Sequence, residues 1–171
     1  MAMDELLIEF QSESKNLVSQ LLGILDHIEG DYSQYRRLEE FGQIIDRIMG
    51  AAKTLKQNGI DPQALDKIGA YAEVCKMVSY KASQVGNNAQ LYTIVVALLM
   101  DATEMFEEML NRIGERAGAD VKTILSETFL DRLRWVSRQF DEGLRGSIGA
   151  DNGSRNLAQE QLDDLLKKLG L

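Results

Sequence analysis

The chain has 171 residues, 44% of them apolar and 27% charged, with 19 cationic against 27 anionic side chains and a net charge of −8. That is enough for one domain with a packed core plus an appendage. The acidic balance excludes partners that need clustered cations, such as nucleic acid, and is unsuited to an anionic membrane surface. Cys75 is the single cysteine and His27 the single histidine, which excludes an intrachain disulfide and a zinc site of the usual ligand types. One proline, few aromatics and abundant Leu, Ala, Glu, Lys, Gln and Arg point to an all-α chain. No basic and apolar leader opens the sequence, and its longest apolar run, Leu91 to Met100, is too short to span a bilayer. The expected location is the cytoplasm.

Five long helices are expected, then a linker and a short terminal helix. The first runs from about Asp4 to Ile28, with Leu7, Phe10, Leu17, Leu21, Ile24 and Ile28 at alternating steps of three and four and Ser14 as the polar interruption. Gly30-Asp31 ends it. The second spans about Gln34 to Lys56 and buries Leu38, Phe41, Ile45, Ile48, Ala52 and Leu55, closed by Asn58-Gly59. Asp61-Pro62 opens the third, a capping residue followed by proline at the first helical position. It continues to about Ser83 through Leu65, Ile68, Ala72, Cys75 and Val78. The fourth, from about Ala89 to Arg116, buries Leu91, Ile94, Val95, Leu98, Ala102, Met105, Met109 and Ile113. After Gly118-Ala119-Asp120 the fifth runs to about Arg145. Short turns between long amphipathic helices favour antiparallel neighbours. The expected architecture is an up-down four-helix bundle with a fifth helix packed on or beyond it, occupying residues 1–148.

Residues 149–156 are polar and contain glycine, the composition of a flexible linker. The last stretch, 157–171, places Leu162, Leu165, Leu166 and Leu169 on one helical face, with Asp163 and Asp164 early in the helix and Lys167 and Lys168 in its last turn. A helix this short is marginal alone in water. Its leucine face orders in a groove on a partner, or folds back on its own core, or self-associates into a homodimer.

The second helix carries another stripe: Glu39, Gln43, Asp46, Gly50 and Lys53 share a face. A glycine inside a helix costs about 1 kcal/mol against alanine, so Gly50 suggests that another surface approaches the backbone there. That surface is either a partner or a neighbouring helix of the bundle. The remaining candidates are structural. Cys75 falls on the apolar stripe of the third helix, and His27 sits in the last turn of the first, near Asp26 and Glu29. No Gly-rich phosphate loop and no Gly-x-Ser-x-Gly elbow is present.

Two resemblances follow from these residues. The tail, with Gln159, Gln161, Leu162, Asp163, Asp164, Leu165, Leu166, Leu169, Gly170 and Leu171, is similar to the C-terminal CheY-binding helix of the chemotaxis phosphatase CheZ, and a related pattern occurs in N-terminal peptides of the flagellar switch protein FliM. The run Asp46-Arg-Ile-Met-Gly-Ala-Ala-Lys-Thr-Leu55 resembles the histidine-phosphotransfer motif His-x-x-Lys-Gly-x-Ala, and Glu9-Phe10 leading to Leu21 and Leu25 resembles the first helix of such domains, that of CheA included. The chain departs from that motif where its chemistry lies. Asp46 stands at the position of the phospho-accepting histidine and Met49 at that of the assisting lysine. The resemblance therefore implies a bundle that is no histidine phosphocarrier but keeps a face for a receiver domain, with Gly50, Lys53 and the tail residues Leu162, Asp163, Asp164, Leu165, Leu166, Leu169 and Leu171 as partner contacts.

A CheZ-like phosphatase needs an acid to pair with the receiver lysine and a carboxamide to align water, because phosphoryl transfer is helped by positioning and electrostatics alone. Glu39 and Gln43 lie one helical turn apart, Asp46 adds a second acid, and Glu107 with Asn111 offer the same spacing. The chain itself then needs no cofactor, since the receiver supplies the Mg2+. The implied role is two-component chemotaxis signalling, through binding of a CheY-like receiver or through its dephosphorylation.

Overall fold

The computed structural model describes residues 5–84, 88–113, 124–148 and 157–171. Six α-helices follow one another with no strand among these residues: α1 (Glu5–Ile28), α2 (Leu38–Gln57), α3 (Pro62–Gln84), α4 (Ala89–Asn111), α5 (Glu127–Ile148) and α6 (Leu157–Lys168). The expected linker 149–156 and the expected break at Gly118-Ala119-Asp120 lie outside the described residues.

Local chemistry sets the boundaries. Asp31 ends the first turn by accepting hydrogen bonds from the Ser33 amide (3.2 Å), the Ser33 hydroxyl (2.5 Å) and the Gln34 amide group (2.8 Å). These bonds favour its ionised form and hold its carboxyl below the usual carboxylate range. The segment they organise is a 3-10 helix, Tyr32–Arg37, so α2 begins at Leu38 rather than at Gln34 as expected. Asn88 caps α4 through its side-chain oxygen, which accepts from the Leu91 amide at 2.9 Å. Ser126 does the same for α5, accepting from the Phe129 amide at 3.1 Å. The fourth helix stops at Asn111, short of the expected Arg116.

The first four helices close a ring in which each packs on the next and α1 meets α4. Cross-links show that neighbours run antiparallel. Gln11 near the start of α1 donates to the Leu110 carbonyl at the end of α4 (2.7 Å), and the Tyr92 hydroxyl at the start of α4 donates to the carbonyl of Ile28 at the end of α1 (2.5 Å). Lys56 at the end of α2 pairs with Asp66 at the start of α3. The Tyr71 hydroxyl in α3 donates to the Ala102 carbonyl of α4 at 2.6 Å, and its ring stacks on Phe106 at 5.5 Å. This is the up-down bundle that the turn lengths predict.

A second layer covers one side. Helix α5 packs on α4, tied by an Arg132–Asp101 pair at 2.7 Å, and α6 wedges between α3 and α5. The covered helices are apolar over more of their circumference than α1 and α2. Besides its expected stripe, α3 buries Ala64, Ala70, Tyr71 and Val74, and α4 buries Tyr92, Val96, Leu99, Phe106 and Leu110. A helix apolar nearly all round must be covered nearly all round. Ile94, expected in the core, is one of the exposed large side chains, since the buried part of α4 is turned toward this second set. Among the described residues α4 is also the one helix long and apolar enough to cross a membrane; half of that window is buried inside the protein.

The tail helix is the clearest correction. Its leucines are not left for a partner: Leu162, Leu165, Leu166 and Leu169 are 0%, 6%, 3% and 2% exposed, all within the chain's own core, and Leu171 is half-buried against it. The α3–α5 groove supplies the apolar surface that ordering so short a helix requires. The helix ends in a left-handed Gly170 (φ 83°), with the Leu171 amide returning to the Leu166 carbonyl at 2.9 Å.

Candidate functional site

The outward face of α2 is where the sequence-derived residues converge. Glu39, Gln43, Asp46, Gly50 and Lys53 are all solvent-accessible on this helix, while Phe41, Ile45, Ile48 and Ala52 hold its opposite side in the core. Asp46 is not a free acid. Its Oδ1 accepts from Lys76 Nζ of α3 at 2.6 Å, and that bond raises the lysine's pKa above its ordinary value against the opposing effect of partial burial. Both partners keep about a third or more of their side-chain surface in water, so the pair orients two groups more than it stabilises the fold. Glu39 and Gln43 make no hydrogen bond or ion pair with other described residues.

Between α2 and α3, beside Asp46, lies an open cleft of about 420 Å³ whose walls include Asp46, Gly50, Lys53, Asp66 and Gly69. Two of those residues are helix-interior glycines, one from each helix. A Cβ placed on Gly50 or on Gly69 would meet nothing within 4 Å. Met49, at the position where the phosphotransfer motif has lysine, lines the same cleft.

Close approach of two helices happens elsewhere, at Gly42, which sequence reasoning passed over. A Cβ there would stand 3.0 Å from Ser79 Oγ and 3.0 Å from the Tyr80 ring. Gly50 is thus not a packing glycine of the bundle, and the neighbouring-helix account of it falls. The signal for Gly42 was its place one residue after Phe41 on the buried side. The distinction between the two glycines depends on which helix faces which, and periodicity alone does not carry that.

The other candidates behave as the sequence suggests. Cys75 is buried and its thiol is pushed up to about 12 by loss of solvation, so it is an inert core group at neutral pH. His27 is exposed in the last turn of α1. The alternative acid–amide pair on α4 is split in environment, with Glu107 half-buried and Asn111 exposed. Among the described residues no group of three or more His, Cys, Asp or Glu side chains is arranged to hold a metal ion. In the tail, Asp163 and Asp164 are exposed while the leucine ridge is covered, so the structure separates the acidic and apolar halves of the proposed peptide motif.

What this face can do chemically is limited and specific. It offers an exposed acid and an exposed carboxamide one turn apart, an acid–lysine pair, and a cleft that no described side chain fills. It has no nucleophilic imidazole. No family model, no curated protein and no solved structure matches the chain.

Proposed function

We propose that the chain is a cytoplasmic signalling protein that docks a CheY-like receiver domain on the outward face of α2, in the manner of a phosphotransfer bundle that has lost its histidine. The observation that carries this reading is the pair Gly50 and Gly69. Each weakens its helix by about 1 kcal/mol relative to alanine, and among the described residues nothing occupies the space they leave. Two glycines facing one open cleft keep it accessible to a surface from outside. The exposed stripe Glu39, Gln43, Asp46 and Lys53 borders that cleft with charge of both signs, which suits the charged rim around a receiver's phosphorylation site.

A phosphatase reading is favoured by one further observation. Lys76 holds Asp46, so Glu39 remains the acid available to pair with the receiver lysine, with Gln43 one turn on to align the attacking water. The receiver would supply the Mg2+. Self-association through the tail has less to work with, because the leucine ridge is already covered within the chain.

The test is a titration of a fluorescent CheY-type receiver from the same organism, unphosphorylated and activated with beryllofluoride, followed by phosphate release from the phosphorylated form. Binding that Gly50→Arg weakens by about tenfold or more supports docking on α2, at about 1.4 kcal/mol per decade. Faster phosphate release that Gln43→Ala abolishes adds the enzymatic role. Binding that is indifferent to both Gly50→Arg and Lys53→Glu removes the α2 face from the account.

A further inference from the structure

Among the described residues four large apolar side chains stand out of the surface: Leu6, Ile8, Ile94 and Trp135. Leu6 and Ile8 are two positions apart in the first turn of α1, so they point to different sides. Ile94 and Trp135 come from different helices and converge. Ile124, just before α5, lines a groove with Glu108 and Arg112 at the end of α4, and by Arg132 the chain has come back to Asp101. Helices α4 and α5 therefore run antiparallel. Trp135 lies one turn beyond the Arg132–Asp101 pair along α5, and Ile94 two turns beyond it along α4, each on the same helical face as the paired residue. At about 1.5 Å of rise per residue the two are offset by only about 6 Å along the seam. The chain's single tryptophan, 41% exposed, thus stands beside an exposed isoleucine.

The charges around that tryptophan have an order. The outward line of α5 runs Asp131, Trp135, Arg138, all exposed, while Leu133, Val136 and Phe140 hold the opposite side of the helix in the core. Asp131 keeps 78% of its side-chain surface in water and reaches Arg134 only at 3.6 Å. Arg138 makes no hydrogen bond or ion pair with another described residue. The acid lies one turn before the tryptophan and the base one turn after it. Such a line is complementary to itself read backwards. An antiparallel copy sets each Asp131 opposite an Arg138 and one Trp135 against the other, whereas a parallel copy sets like charge against like. A partner of one sign would gain at one end of the line and lose at the other. A chain with a net charge of −8 also repels its own copies over most of its surface, so copies meet where acid and base alternate.

We propose that the outward face of α5 is an isologous interface between two copies of this chain. The two α5 helices pack antiparallel about a two-fold axis beside Trp135. The paired indoles form the apolar centre, with Ile94 on their α4 side, and two symmetric Asp131–Arg138 contacts fix the register. The face is separate from the α2 cleft, so the proposal neither needs nor tests the receiver reading.

The experiment uses the full chain and its own tryptophan as the probe. Sedimentation equilibrium from about 10 µM to about 1 mM should show the mass rising from 19.2 kDa toward twice that value. The tryptophan emission should shift to the blue over the same range as the indole leaves water. Asp131→Arg and Arg138→Asp should each weaken the dimer at least about tenfold, since each places like charges opposite at two symmetric points. Trp135→Ala should weaken it by a similar factor. An equimolar mixture of Asp131→Arg and Arg138→Asp chains should associate again, because every contact across their interface joins opposite charges. That rescue also shows that both variants are folded. A chain that stays at 19.2 kDa throughout overturns the proposal. So does a dimer that neither charge reversal weakens, or a mixture of the two reversed chains that remains monomeric.

Discussion

Three glycine-to-alanine changes, two in α2 and one in α3, should have opposite signs. At Gly50 and at Gly69 the new methyl meets nothing within 4 Å, so each substitution returns only the helix preference. Each is expected to stabilise by roughly 0.5–1 kcal/mol, by lowering the entropy of the unfolded chain. At Gly42 the methyl stands 3.0 Å from Ser79 Oγ. Ser79 is fully buried and its hydroxyl donates to the Lys76 carbonyl at 2.8 Å, so it has nowhere to go. Tyr80, at 3.0 and 3.1 Å, is half-buried and can yield by a few tenths of an ångström. Overpacking of this kind costs about 1–3 kcal/mol, against about 1 kcal/mol of helix preference regained.

The net expectation for Gly42→Ala is destabilisation by about 1 kcal/mol, some 2–4 °C in Tm for a chain of this size. Urea unfolding monitored by helical circular dichroism reads it directly, provided the slope of the transition is unchanged. Gly50→Ala and Gly69→Ala should shift the midpoint upward and Gly42→Ala downward. If Gly42→Ala stabilises as much as the other two, the assignment of Gly42 as the contact glycine and of Gly50 as the open one is wrong. The same three proteins carry a functional corollary: the two stabilised variants should dock a receiver less well than the natural chain, a trade of stability against a vacant surface.

Tyr92→Phe removes the hydroxyl that bonds the Ile28 carbonyl at 2.5 Å and lies 3.0 Å from that of Asp31, and should destabilise by about 1 kcal/mol in the same urea assay, because one buried hydrogen bond is lost while both carbonyls keep a backbone donor, the Asp31 and Gln34 amides. Stability should fall as pH rises from 9.0 toward 12. The folded Cys75 thiol titrates near about 12 and the unfolded one near 9.0, so only the unfolded chain gives up this proton in that window, and Tyr71, raised by the same burial, acts in the same direction. A thermal series from pH 8 to 11 checks this, and a flatter Cys75→Val profile beside a falling natural one isolates the thiol's share. In native buffer at pH 8 the thiol should react with Ellman's reagent only at the rate of unfolding. Asp46→Asn should cost no more than about 1 kcal/mol, as befits an exposed pair, and a larger loss in a double-mutant cycle with Lys76→Met would contradict that description.

The helices were legible because their seams obey one rule each: Leu7 to Ile28, Leu38 to Ala52 and the Asp61-Pro62 start all read directly from spacing and capping chemistry. The 3-10 segment was not, since it depends on the Asp31 side chain binding Ser33 and Gln34 rather than on any periodicity. The fate of the tail was written in a place no tail-centred reading would consult. Ala70 and Val74 on α3, and Val96, Leu99 and Leu110 on α4, are buried outside the stripes read for those helices. That surplus predicts a second layer, and the terminal leucine ridge was the apolar face available to help form it. For the site, the α2 stripe was readable from helical geometry. The pairing of Asp46 with Lys76, and the partnership of Gly50 with Gly69 across a cleft, join residues far apart in the chain and become visible only once α2 and α3 are laid side by side.

Lys76 and Tyr80, one over the other's ring at 5.6 Å, each face two ways. Lys76 grips Asp46 on α2, the Tyr80 ring abuts Gly42, and both side chains also border the gap beneath the terminal helix. News of a visitor on one flank thus has to cross only the width of a single helix to reach the other. A guest that pulls Asp46 away would release the Lys76 cation into a groove that Asp164 and Lys168 also line, changing the balance of charge along the terminal helix.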